Sequence, residues 1–91
     1  MKQRMHVWIY GIVQGIFFRQ SIKEKADSFG LKGFVRNAEN SVEAIFEGER
    51  ENIEKMIEFC RKGPKIAKVT DIKTKEETYS AEFKEFKVLH F

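Results

Sequence analysis

The sequence predicts an α/β sandwich of the α+β kind, with two helices on one face of a mainly antiparallel sheet. Three observations point there. Apolar residues alternate with polar ones in short segments near both ends and in the middle of the chain. Two other stretches place apolar residues at helical spacing, and the two kinds of segment follow one another as strand, helix, strand, strand, helix, strand. The 91 residues, 42% hydrophobic and 34% charged, are enough for one core and not for two, so a single soluble domain over residues 1–91 is expected.

The first strand is read from Met5 to Val13, where Met5, Val7, Ile9 and Val13 alternate with His6, Trp8, Tyr10 and Ile12. After Gln14-Gly15-Ile16-Phe17, the residues Phe18, Ile22, Ala26 and Phe29 trace one face of a helix over 18–29. Gly30 closes it, because only glycine takes a positive φ without strain, and Leu31 packs back over that end. Gly33 to Asn37 forms a second strand, joined by the polar turn Ala38-Glu39-Asn40-Ser41 to a third that carries Val42, Ala44 and Phe46 on one face.

Within 49–62, Ile53, Met56, Ile57 and Cys60 share one helical face, with glutamates early and Arg61-Lys62 late, as the helix dipole favours. Gly63-Pro64 stops that helix. A fourth strand is read over 66–74, and its apolar parity shifts between Val69 and Ile72, which predicts a bulge near Asp71. Phe86, Val88 and His90 then alternate with Lys87, Leu89 and Phe91 in a further strand. This is the ferredoxin-like βαββαβ order. Its open sheet face would carry Trp8, Tyr10 and Ile12, and is either a partner surface or a face shielded by lysine stems and terminal segments.

Several function classes drop out. No apolar run approaches the ~20 residues of a membrane span, and the basic start Met1-Lys2-Gln3-Arg4 leads to no export cleavage site, so a cytoplasmic protein without membrane association is expected. Cys60 stands alone, which excludes an internal disulfide and a cysteine-rich zinc site. A net charge of +3 is modest for a nucleic-acid binder and compatible with a small anion. GxSxG, P-loop, HExxH and CxxC motifs are absent, and His6 and His90 lie in opposite terminal strands, so neither a metal nor a cofactor is expected.

The unusual stretch runs from Gly11 to Arg19, out of a strand, through a short loop and into a helix. Such a loop leaves backbone N–H groups without partners, aimed with the positive end of the dipole at any bound phosphate. Gly15 lets the backbone wrap closely. Arg19 in the first helical turn opposes the dipole by ~0.3–1 kcal/mol; it either points into solvent or serves an anion. Asn37 ends the second strand, as a turn former or as an amide that shares a pocket with Arg19 and holds a water.

At these residues the sequence resembles the acylphosphatase family. Gly11-Ile12-Val13-Gln14-Gly15-Ile16-Phe17-Phe18-Arg19 is similar to its first signature, and Gly33-Phe34-Val35-Arg36-Asn37 to its second, with one helix between. The resemblance extends over essentially the whole chain. It implies hydrolysis of acyl phosphates, small molecules, to carboxylate and inorganic phosphate without metal or cofactor; a monomer is expected. It also implies that Arg19 binds the phosphoryl group, that Asn37 orients the attacking water, and that amides of Gln14, Gly15, Ile16, Phe17 and Phe18 cradle the phosphoryl oxygens. Two departures stand out: the turn 38–41 lacks the glycine many relatives carry, and Phe34 replaces a common tryptophan.

Two rival classes remain. Ferredoxin-like domains bind RNA on the open face, with Trp8 and Tyr10 as stacking platforms, but the third strand carries Glu43 and Glu47 where an aromatic RNA signature would stand. A regulatory domain that binds an anion without turning it over would share the loop, so only turnover separates it from an enzyme.

Overall fold

The computed structural model describes residues 1–15 and 17–90. Ile16, expected in the phosphate loop, and Phe91, expected in the last strand, lie outside the described residues. Seven elements follow in order: β1 (Lys2–Ile12), α1 (Phe18–Ser28), β2 (Lys32–Asn37), β3 (Val42–Glu49), α2 (Arg50–Lys62), β4 (Lys68–Glu77) and β5 (Phe86–Leu89). The sheet order is β4-β1-β3-β2-β5. All pairings are antiparallel except β2 with β5. The fold is the expected ferredoxin-like sandwich with the further strand added at one edge.

Alternation decides which sheet face meets the helices. Val7 and Ile9 of β1, Val35 of β2, and Ala44 and Phe46 of β3 are buried with Ile22 and Ala26 of α1 and with Ile53, Met56 and Cys60 of α2. Each large apolar side chain removed from water in this way contributes ~1.5–3 kcal/mol. Phe86 joins this core from β5, its ring stacked on Phe46 at 5.4 Å. Gly30, at φ +68, ends α1: its N–H donates to Asp27 O and that of Leu31 to Ala26 O, which satisfies two terminal carbonyls and buries Leu31.

The bulge appears where the apolar parity shifts. Tyr10 pairs with Asp71 but Gly11 with Val69, which leaves Thr70 as the extra residue of β4. Gly11 is at φ +130, and a Cβ there would collide with the Lys68 carbonyl.

The element limits differ from the sequence reading by more than one residue in three places. β1 begins at Lys2, because its polar start is paired with 47–49 of β3. β4 begins at Lys68 and runs to Glu77. Ile66 belongs instead to the turn closed by Ala67 N–H on Pro64 O, where it is 66% exposed. The polar end of β4 is held by its partner strand, with Arg4 opposite Glu77 and bonded to it at 3.0 Å. β5 ends at Leu89, before His90.

The open face is shielded over Trp8 and Tyr10, while Ile12 at its end is 62% exposed. Trp8 lies under the His6 ring at 3.8 Å, and Lys73 covers Tyr10 at 5.6 Å. Phe83, from the segment that leads to β5, meets Phe34 edge-on and lies under the Arg4 guanidinium. Between them runs a chain of polar contacts: ion pairs of Arg36 with Glu43 and of Arg4 with Glu77, Glu47 and Glu82, joined by hydrogen bonds of His6 with Glu43 and Glu77.

Candidate active site

The link between β1 and α1 is fixed at both ends. Val13 is buried ahead of it and Phe18 behind it. Gln14 Nε2 donates to Ala38 O at 2.8 Å and to Ser41 O at 2.9 Å, which ties the loop to the turn between β2 and β3. Gly15 is at φ +74. Phe17, at φ +60, caps the helix from the left-handed region and is 83% exposed. For an L residue with a large side chain this conformation costs ~1–2 kcal/mol, and no packing against the core compensates for it.

The start of α1 is open. Its first backbone bond is Ser21 N–H to Phe17 O, so the amides of Phe18, Arg19 and Gln20 have no acceptor within the helix. There is no side-chain cap and no acidic residue in the first turn. The positive end of the dipole is therefore uncompensated by the protein's own carboxylates.

Arg19 is half-buried and does not run free into solvent. Its Nη1 donates to Leu89 O at 3.1 Å and to His90 Nδ1 at 3.3 Å. A guanidinium has no acceptor, so His90 Nδ1 is the unprotonated nitrogen in this contact. Gly15, the segment Phe17-Phe18-Arg19-Gln20, Val88 and His90 border a cleft of about 430 Å³. Gln14 borders a neighbouring cavity with Ser41 instead.

Asn37 is the last residue of β2, opposite Val42. The residue before it, Arg36, is in register with Leu89, whose carbonyl anchors Arg19. Arg19 and Asn37 thus stand at the same end of the sheet, although Asn37 is not among the residues that border the cleft. Its Oδ1 is buried and has no hydrogen-bond partner among the described residues.

Val88 and His90 did not emerge from the sequence as site residues. A signal existed: Phe86 and Val88 point inward, and a residue two further along a strand lies on the same side. The remaining titratable candidates take no part in the cleft. Burial pushes the Cys60 thiol up, away from thiolate chemistry. His6 is held between Glu43 and Glu77 on the opposite sheet face. Among the described residues no three His, Cys, Asp or Glu side chains are grouped to hold a metal ion, and no helix is long and apolar enough to cross a membrane.

The family model described as Acylphosphatase matches residues 5–88. The chain is 51% identical to the acylphosphatase of Pyrobaculum aerophilum over 88 residues, which cover 94% of this chain and 93% of that one. Its structure is similar to that of an acylphosphatase from Coxiella burnetii, with a TM-score of 0.92 and 34% identity over 97% of this chain and 93% of the other. It is also similar to the acylphosphatase of Bacillus subtilis, with a TM-score of 0.88 and 30% identity over 98% and 99%. With the match spanning both signature segments and nearly the whole sheet and helix framework, the chain belongs to the acylphosphatase family of hydrolases.

Proposed function

We propose that the chain hydrolyses acyl phosphates without a metal, by in-line attack of a water held by Asn37 on a phosphoryl group bound by Arg19 and the amides of 14–19. The observation that carries this reading is the uncapped start of α1, which opens on the same cleft as Arg19. Amides and guanidinium together supply donors for the equatorial phosphoryl oxygens, where charge gathers in the transition state. The Leu89 carbonyl steadies Nη1 of Arg19, and the rest of the guanidinium fork offers donors to the phosphoryl group.

Asn37 is neutral and is no strong base. Its Oδ1 has no hydrogen-bond partner among the described residues and, once a shift of the side chain opens it to the cleft, accepts a hydrogen bond from the attacking water, which orients the water without deprotonating it. The water oxygen bonds to phosphorus as the bond from phosphorus to the carboxyl oxygen breaks. The carboxylate leaves with the electron pair, and the water protons stay on the phosphate product. A carboxylate is a good leaving group, so this step needs no nucleophilic side chain.

Benzoyl phosphate hydrolysis in the presence of a chelator tests the reading, with wild type beside Arg19→Ala and Asn37→Ala after all three are shown to be folded. Turnover that survives the chelator and falls by ~10²-fold or more in each variant is the expected result. Wild-type protein that binds phosphate but turns nothing over, or an Arg19→Ala protein with full activity, would sink it.

A further inference from the structure

We propose that His90 is a positioning residue: together with the Leu89 carbonyl it occupies Nη1 of Arg19, and so sets which edge of the guanidinium meets the phosphoryl group. This rests on the phosphoryl-binding reading above. A guanidinium carries one N–H on Nε and two on each terminal nitrogen. Nη1 of Arg19 donates to Leu89 O at 3.1 Å and to His90 Nδ1 at 3.3 Å, which takes up both of its hydrogens. Nε and Nη2 have no acceptor among the described residues. An end-on grip through Nη1 and Nη2 is therefore closed. The side-on edge, Nε with Nη2, supplies two parallel donors to two phosphoryl oxygens.

One acceptor on Nη1 fixes a point about which the planar group still turns, and a second acceptor on the same nitrogen stops the turn. The first comes with the backbone of β5. The second is a side chain, on the residue just past that strand, on the same side as Phe86 and Val88. His90 is exposed and stands outside the core, so packing does not account for its place. The helix does not depend on it either. Lys23, one turn after Arg19, donates to Phe86 O at 3.1 Å, and Phe18 and Ile22 are buried. Loss of the imidazole thus frees the guanidinium and leaves α1 where it is. The chemistry of the two acceptors fits the task. No carboxylate side chain borders the cleft among the described residues, so a neutral carbonyl and an unprotonated ring nitrogen orient Arg19 without neutralising it, and its charge is left for the substrate.

The test compares wild type with His90→Leu, which puts a methyl group where Nδ1 stood, and with His90→Asn, whose Oδ1 restores an acceptor at the same number of bonds from the backbone. The readouts are kcat for benzoyl phosphate, inhibition by inorganic phosphate, and nitrogen NMR of the Arg19 side chain. In His90→Leu, kcat should fall about fivefold, less than the ~10²-fold of a ~1 Å misplacement because Leu89 O remains. Inhibition by phosphate should change by less than about twofold, since a ground-state anion meets the same charge whichever edge it finds. His90→Asn should recover most of kcat. Exchange between the two Nη nitrogens of Arg19 should be slow in wild type and His90→Asn and faster in His90→Leu. Equal kcat or equal exchange rates in wild type and His90→Leu overturn the proposal, and so does a His90→Asn protein no better than His90→Leu. A parallel loss of kcat and of phosphate inhibition marks general damage to the loop and overturns it too. Wild type that hydrolyses no acyl phosphate overturns the phosphoryl-binding reading, and this proposal with it.

Discussion

Gln14→Leu removes the clamp between the β1–α1 loop and the turn after Asn37 while keeping the side chain's approximate size. Two hydrogen bonds disappear, at 2.8 and 2.9 Å. A neutral hydrogen bond contributes ~0.5–1.5 kcal/mol net, so the pair is worth about 1–3 kcal/mol. Ser41 O keeps the Ala38 N–H at 2.8 Å, and the bond to Ala38 O lies where water can replace it, which places the loss at about 1–2 kcal/mol. The effect on catalysis should be larger. Gln14 directly precedes Gly15, and a loop free to shift by ~1 Å relative to Asn37 costs ~10²-fold in a reaction that depends on positioning. Urea unfolding beside steady-state hydrolysis of benzoyl phosphate separates the two quantities. A kcat within twofold of wild type, together with the expected loss of stability, would show that the clamp supports the fold and has no part in aligning the site.

Three further outcomes are expected. Arg4→Met leaves Glu47, 2% exposed, with only the Ser80 N–H and hydroxyl as donors among the described residues, and should lower the unfolding free energy by about 3 kcal/mol, mostly regained in Arg4→Met/Glu47→Gln; chemical denaturation of the single and double variants checks this. The hydrogen bond from His6, and after it that from Arg4, holds the Glu77 carboxyl below its ordinary value of 4.5. A carboxyl with a depressed folded-state pKa stabilises the fold above its unfolded value and loses that contribution as pH falls through the folded one, so stability should decline on acidification below about pH 4.5, and Glu77→Gln should flatten the decline in thermal melts at stepped pH. Inorganic phosphate at tenfold its dissociation constant should stabilise the protein by ~1.4 kcal/mol, and Arg19→Ala should abolish the gain; a shift retained in the variant would place the anion elsewhere.

What was legible in the fold was local. Alternation identified Val7 and Ile9, helical spacing identified Ile53, Met56 and Cys60, and Gly30 and Gly63 stand at positive φ where the two helices end. The parity shift around Asp71 located the bulge, because an extra residue changes which side chains face the core. The limits of β4 were not legible. It is an edge strand paired only with β1, and its polar half, Lys73 to Glu77, owes its extension to Arg4 and His6 across the ladder. The partner of β5 was hidden as well, since four residues carry no local sign of a parallel neighbour.

The site divides along the same line. Arg19 showed in the sequence because a cation in the first turn of a helix breaks a local rule, while its contact with His90 joins residues 71 positions apart. The clamp of Gln14 and the unpartnered Oδ1 of Asn37 are likewise products of the folded chain. The structure adds two irregularities beside Arg19: a phenylalanine at φ +60 and a helix start without a side-chain cap. An acid at 19 would relieve the first, and the other two meet at residue 17, which is itself the cap: glycine there would remove the strain, and serine would supply a cap bond. A bound anion would compensate two of the three at once, because it accepts from the open amides and neutralises the guanidinium. The third, the strained and exposed Phe17, gains nothing from an anion. That difference is the physical ground on which the proposed function gives the phosphoryl group the loop's backbone and Arg19, and gives the Phe17 ring no part in holding it.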